Sequence, residues 1–187
     1  TIMRHLDVYI VQYFFGTAIV GIFQSAKTLY RFFEALIDGI SGLYYPALVR
    51  MHARGDRNAE HAMTSKIISF TMFAMTGIVI IFQMGIGEWL VTMFLSQKYL
   101  LAYQHFSLLM LTAIILPMMI TAIIFITRDH MKALLANAVI SSLTGIIVSI
   151  FIGMSGHSEL IALGTMSYTF TFSLIGIIYA IKQEIFY

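Results

Sequence analysis

The chain has 187 residues, 59% of them hydrophobic and 11% charged, with a formal net charge of +2 and a mean hydropathy of +0.88. A water-soluble domain cannot hide that much apolar surface, and so small a net charge does not suggest nucleic-acid binding. Each membrane span takes roughly 20 apolar residues, so the expectation is an all-α membrane protein: one domain over residues 1–187, a bundle of about six transmembrane helices.

The first apolar segment, Leu6 to Phe23, is under way within a few residues of Thr1, with no initiator Met and no signal-peptide pattern; this predicts a piece of a longer transporter chain whose missing part is N-terminal. Gly16 and Gly21 interrupt the segment, and a short turn is expected near Gly16 and Thr17. The second span runs from Ile22 or Ser25 to Val49. The third, Lys66 to Ile86, ends on Gly85 and Gly87, and Trp89 follows where an interfacial aromatic belt belongs. The fourth, Tyr99 to Ile126, carries Pro117 near its middle, where the missing backbone donor predicts a kink. Ala133 to Ile152 and Leu160 to Ile181 are the fifth and sixth, joined by the breaker-rich loop from Gly153 to Ser158.

Alternating spans sort the basic residues by side. Arg4, Arg50, Arg54, Arg57, Lys66, Arg128, Lys132 and Lys182 fall on one side and Lys98 alone on the other, which predicts a multi-pass protein with both termini cytoplasmic. Lys27 and Arg31 remain, inside the second span with Glu34 and Asp38. Charges within a span are costly enough to require a reason. At helical pitch these four side chains project within roughly 60° of one another, and Gln24, Ser41 and Tyr45 extend the stripe. One reading is a wet substrate path lined by both signs of charge; the other is mutual neutralisation inside the bundle, or a Lys27 that simply snorkels to the outer interface. Asp7 fits either the same cavity or an interfacial position beside Arg4 and His5.

The absence of cysteine removes disulfides and thiolate metal sites and leaves the redox compartment open. The six histidines are scattered without metal-ligand spacing, so no metal and no cofactor is expected. His105, with Gln104 and Tyr103, is a candidate for the outer mouth of a cavity. The thirteen methionines suit flexible helix packing. No phosphate-binding loop or catalytic triad stands out, so an enzyme is disfavoured.

Between Asp7 and Asp56, the order and spacing of Asp7, Gly16, Val20-Gly21-Ile22-Phe23, Ala26, Leu29, Tyr45-Pro46-Ala47-Leu48 and the basic stretch Arg50 to Asp56 resembles the second half of polysaccharide flippases of the multidrug/oligosaccharidyl-lipid/polysaccharide exporter superfamily. Further on, Tyr99-Leu100-Leu101-Ala102-Tyr103 and Asp129-His130-Met131-Lys132 are similar to the family's start of a long helix and its short basic turn; Phe23 departs from the family's usual Tyr. The resemblance implies the C-terminal lobe of a two-lobe flippase in the bacterial inner membrane, moving a lipid-pyrophosphate-linked oligosaccharide by alternating access. Its implied partners are that substrate, membrane lipids, the missing N-terminal lobe and polysaccharide-assembly proteins, and no nucleic acid. An anionic headgroup needs cations and sugars need hydrogen-bonding groups, which assigns Lys27, Arg31 and Gln24 to substrate contact. Asp7, Glu34 and Asp38 then hold those cations or bind a coupling ion. The alternatives are a drug or cation antiporter of the same superfamily, the membrane domain of a glycan-modifying enzyme, and an assembly partner without transport.

Overall fold

A computed structural model describes residues 3–95 and 100–182. Lys98 and Tyr99, used above for orientation and for the start of the fourth span, lie outside the described residues. Among the described residues the chain is helical throughout, without strands. Helix α1 is Met3–Ala53 and α2 is Arg57–Ile81; a π turn at Phe82–Ile86 leads into α3, Gly87–Leu95. Helix α4 is Leu100–Ala113, followed by a 3-10 segment Leu116–Thr121 and α5, Ala122–Thr127. Helix α6 is Met131–Ser155, and after a 3-10 turn at Ser158–Leu160 comes α7, Ala162–Lys182. Among the described residues four helices are long and apolar enough to cross a membrane, or five if the bent pair α4–α5 is one span. This fits an all-α membrane protein.

The difference from six lies in α1. Its helical run is unbroken except at Gly16, with φ 79° and ψ 177°. A straight helix would separate residues 7 and 27 by about 30 Å, yet the Asp7 Oδ2 and Lys27 Nζ atoms are 2.5 Å apart. The chain therefore folds back at Gly16 into two arms, residues 3–15 and 17–53. The expected turn is present at the expected glycine. Its short arm, about 20 Å long, does not reach across a hydrocarbon core of roughly 30 Å by itself. Gly16 occupies a backbone region open essentially only to glycine, although a Cβ there would meet nothing within 4 Å. Gly16→Ala is thus a purely conformational lesion, expected to cost about 1–3 kcal/mol and to lower the thermal unfolding midpoint of the detergent-purified protein.

Other breaks follow local chemistry. Asp56 caps α2 by accepting from the Ala59 amide at 3.1 Å, which starts that helix nine residues before the expected Lys66, inside the expected loop. Gly85, at φ 108°, sits within the π turn, so the third span is interrupted there and α3 continues it past Trp89. Pro117 opens the 3-10 segment, and the two halves of that span meet at 49°, the predicted kink. Gly156 closes α6 in the left-handed conformation.

The long arm of α1 packs on α4 and the π turn through Phe23, Phe33, Phe82 and Phe106, with the Phe33–Phe82 and Phe82–Phe106 ring centroids 5.8 and 6.0 Å apart. Helices α6 and α7 form an antiparallel pair in contact at both ends, where Asn137 Nδ2 donates to the Phe172 carbonyl at 3.1 Å and Gly164 lies against Ser149. The two faces of α6 are inverted relative to a soluble helix: Asn137, Ser141, Gly145, Ser149 and Gly153 are buried. Leu135, Val139, Leu143, Ile147 and Phe151, at the same four-residue period, are exposed. An apolar outer face with a small and polar inner seam is the packing a lipid environment rewards.

Candidate functional site

The long arm of α1 presents Lys27, Glu34, Asp38 and Ser41 to a cavity of about 330 Å³. Spacings of seven, four and three residues keep them on one helix face. The opposite walls are Leu116 and Met119 of the 3-10 segment and Thr165 and Thr169 of α7. Pro117 matters here because a straight helix would carry Leu116 and Met119 on a different course.

Asp7 enters from the short arm and is 1% exposed, facing Lys27, which is 4% exposed. The Asp7 Oδ2 atom takes the 2.5 Å contact from Lys27 Nζ and also accepts from Thr165 Oγ1 at 3.1 Å, while Oδ1 accepts from the Val8 amide at 2.8 Å. Lys27 Nζ stands 5.6 Å from the centre of the Phe23 ring, within range of a cation–π attraction. This carboxylate joins both arms of α1 to α7. Of the two placements open to Asp7, the structure has the cavity. Lys27 lies at the cavity wall and does not snorkel to an interface.

The stripe is not uniform. Arg31 is half-buried and Gln24 partly buried, and neither lines the cavity; the Gln24 Oε1 atom is buried without a hydrogen-bond partner. Tyr45 is exposed. The cavity lining consequently carries three carboxylates, from Asp7, Glu34 and Asp38, against the single ammonium of Lys27. His105 is buried edge-on against Phe23 at 5.7 Å, outside the cavity lining.

A second polar centre lies at the end of the bundle that carries the basic turns. Glu60, in the first turn of α2 and 1% exposed, accepts from Arg128 Nη2 at 3.1 Å and faces His52 Nδ1 at 3.5 Å. Thr64 donates to the Glu60 carbonyl at 2.7 Å and is hydrogen-bonded to Tyr44. The two loops expected on one side, around Arg54 and Arg128, do meet at one end of the bundle.

Thr165, Thr169 and Glu60 were not singled out by sequence reasoning. Threonines four residues apart in an apolar span were the available signal for the first two; Glu60 gave none, because a lone glutamate beside a basic loop reads as a solvated surface residue. Among the described residues no group of three His, Asp or Glu side chains is placed to hold a metal ion. No protein-family model, curated protein or solved structure matches the chain.

Proposed function

We propose that the chain is one lobe of a membrane transporter that carries a lipid-pyrophosphate-linked oligosaccharide across the bacterial cytoplasmic membrane by alternating access. The observation that carries this reading is the cavity: a buried ammonium, three carboxylates and several hydroxyls gathered between helices whose outer faces are apolar. Polar and ionisable groups at that depth are maintained for a solute that needs them. Lys27 contacts the anionic headgroup, Ser41, Thr165 and Thr169 offer hydroxyls to sugars, and Arg31 and Gln24, one turn away from Lys27 on either side, contact the cargo only after the arm rotates. The long arm of α1, α2, the bent pair α4–α5, α6 and α7 are the spans, with the short arm of α1 entering only part of the way; the end bearing Arg54 and Arg128 faces the cytoplasm, and the second lobe is supplied by the rest of a longer chain.

The acidic excess of the lining favours a second reading, a drug or cation antiporter of the same superfamily, in which Asp7, Glu34 and Asp38 bind a cation. The two are separated by expressing the full-length gene in a flippase-deletion host and scoring surface polysaccharide at matched membrane levels. Wild type should restore the glycan and Lys27→Ala should not, with a loss of about tenfold or more if Lys27 makes a charged hydrogen bond to cargo. Arg31→Ala should retain more activity than Lys27→Ala. Full restoration by Lys27→Ala refutes the site. A wild type that restores no glycan but confers cation-dependent drug efflux establishes the antiporter instead.

A further inference from the structure

We infer that Asp7, Thr165 and Lys27 form an anion subsite that the protein masks from within: a phosphate group of the cargo displaces the Asp7 carboxylate from Lys27, and the displaced carboxylate takes up one proton. This rests on the proposed transport of a phosphate-bearing lipid and adds to it the way in which binding, protonation and movement are linked.

The geometry supplies each step. Lys27 is the only ammonium lining the cavity among the described residues, and the Asp7 carboxylate pairs with it at 2.5 Å. An ammonium so deeply buried cannot be released to nothing, since an unpaired buried charge is strongly destabilising. It can be exchanged between two anions. After exchange Lys27 pairs with the phosphate, and an ionised Asp7 would be left in the same state Lys27 avoided. Titratable groups lining the cavity beside it are Lys27, Glu34 and Asp38 on the long arm and Tyr168 on α7; the 3-10 segment and α5 contribute only apolar side chains. None of these offers Asp7 a second cation. Addition of a proton to the carboxylate cancels one unit of the incoming negative charge: one ion pair is broken, one is formed, and one O–H bond is made at Asp7. Thr165 suits both states, because its hydroxyl donates to a carboxylate and accepts from a carboxylic acid.

The exchange also has a mechanical side. Asp7 and Lys27 stand on opposite arms of the Gly16 hairpin, so their ion pair ties residues 3–15 to residues 17–53. Cargo binding releases that tie and leaves the short arm free to move about Gly16, while expulsion of the proton re-forms it.

The test uses the full-length protein in nanodiscs, with farnesyl pyrophosphate as the probe, farnesol as the phosphate-free control and inorganic pyrophosphate as the lipid-free one. Affinity and proton uptake are measured together in weak buffer. Wild type should take up about one proton more per bound pyrophosphate than Asp7→Asn does under the same conditions. Asp7→Asn should bind about tenfold tighter, because no population is lost to the masked state. Thr165→Val, which loosens the mask and keeps both charges, should bind a few-fold tighter, by roughly the worth of one hydrogen bond, with proton uptake retained; this variant stands in if Asp7→Asn folds poorly. Equal proton uptake by wild type and Asp7→Asn, or weaker binding by both variants, overturns the exchange while leaving the proposed cargo class intact. Absence of pyrophosphate binding by all forms overturns the cargo class and the exchange with it. Inorganic pyrophosphate binding as tightly as the prenyl form, with the same proton uptake, supports the exchange and shows a free anion to be its ligand.

Discussion

Replacement of Lys27 by methionine is expected to destabilise the protein by about 3–5 kcal/mol, the cost of leaving a buried charge without its partner. Asp7 is 1% exposed, and the Thr165 hydroxyl and Val8 amide that remain to it are dipoles, not cations. The double variant Asp7→Asn/Lys27→Met removes both charges, fills the space with side chains of similar volume and should recover most of that loss, since exchange of a buried ion pair for well-packed neutral groups is often close to neutral. Thermal unfolding of the two variants and wild type in one detergent gives the comparison. A double variant no more stable than Lys27→Met would mean that packing of the lysine stem, and not its charge, holds the arms together. Transport should fail in both variants, so a stable but inactive double variant separates folding from function.

The second large effect is expected at the other polar centre. Glu60 holds the first turn of α2 to the turn between α5 and α6 through Arg128, with His52 at the end of α1 on its other oxygen. Arg128→Met should cost about 3 kcal/mol, and Glu60→Gln in the same chain should return much of it. Because His52 is partly exposed and contacts the second oxygen at 3.5 Å, His52→Ala should cost under about 1 kcal/mol. Unfolding midpoints of these variants check the ordering. If Arg128→Met is as mild as His52→Ala, the end of the bundle is held by its apolar contacts alone.

The parts of this architecture that could be read from sequence are those governed by neighbours along the chain. Gly16, Pro117 and Gly156 break or bend helices through their own backbone chemistry, and each does so where expected. Periodicity put Lys27, Glu34 and Asp38 on one face, and they share one. Arg31 belongs to the same angular sector but not to the cavity wall, because the wall is shaped by α7 and the bent span, whose positions no local pattern encodes. The same limit applies to the partner of Lys27. Arg31 and Glu34, three residues apart, offered pairing within one helix, whereas the carboxylate the structure sets against Lys27 lies twenty residues back, available only because Gly16 returns the chain on itself. The α6 pattern was present in the sequence all along: small and polar residues every fourth position from Asn137 to Gly153, flanked by a parallel row of large apolar ones. Read as a soluble helix its buried face would be assigned backwards; lipid as the solvent reverses the assignment.

The Gly16 hairpin bears on how the chain enters a bilayer. An aspartate or a lysine alone near the centre of an inserting helix costs about 2.5–3.5 kcal/mol of partitioning free energy. Asp7 and Lys27 fall on the two arms of one hairpin at matched depth. Arms that leave the ribosome within a few seconds of each other can cancel their charges before either is committed to lipid. Thr165, which completes the site, is synthesised some 158 residues after Asp7, so the pair has to be self-sufficient until α7 is made. The hairpin thereby joins into one neutral unit two segments that would each carry an unpaired charge if they entered lipid alone.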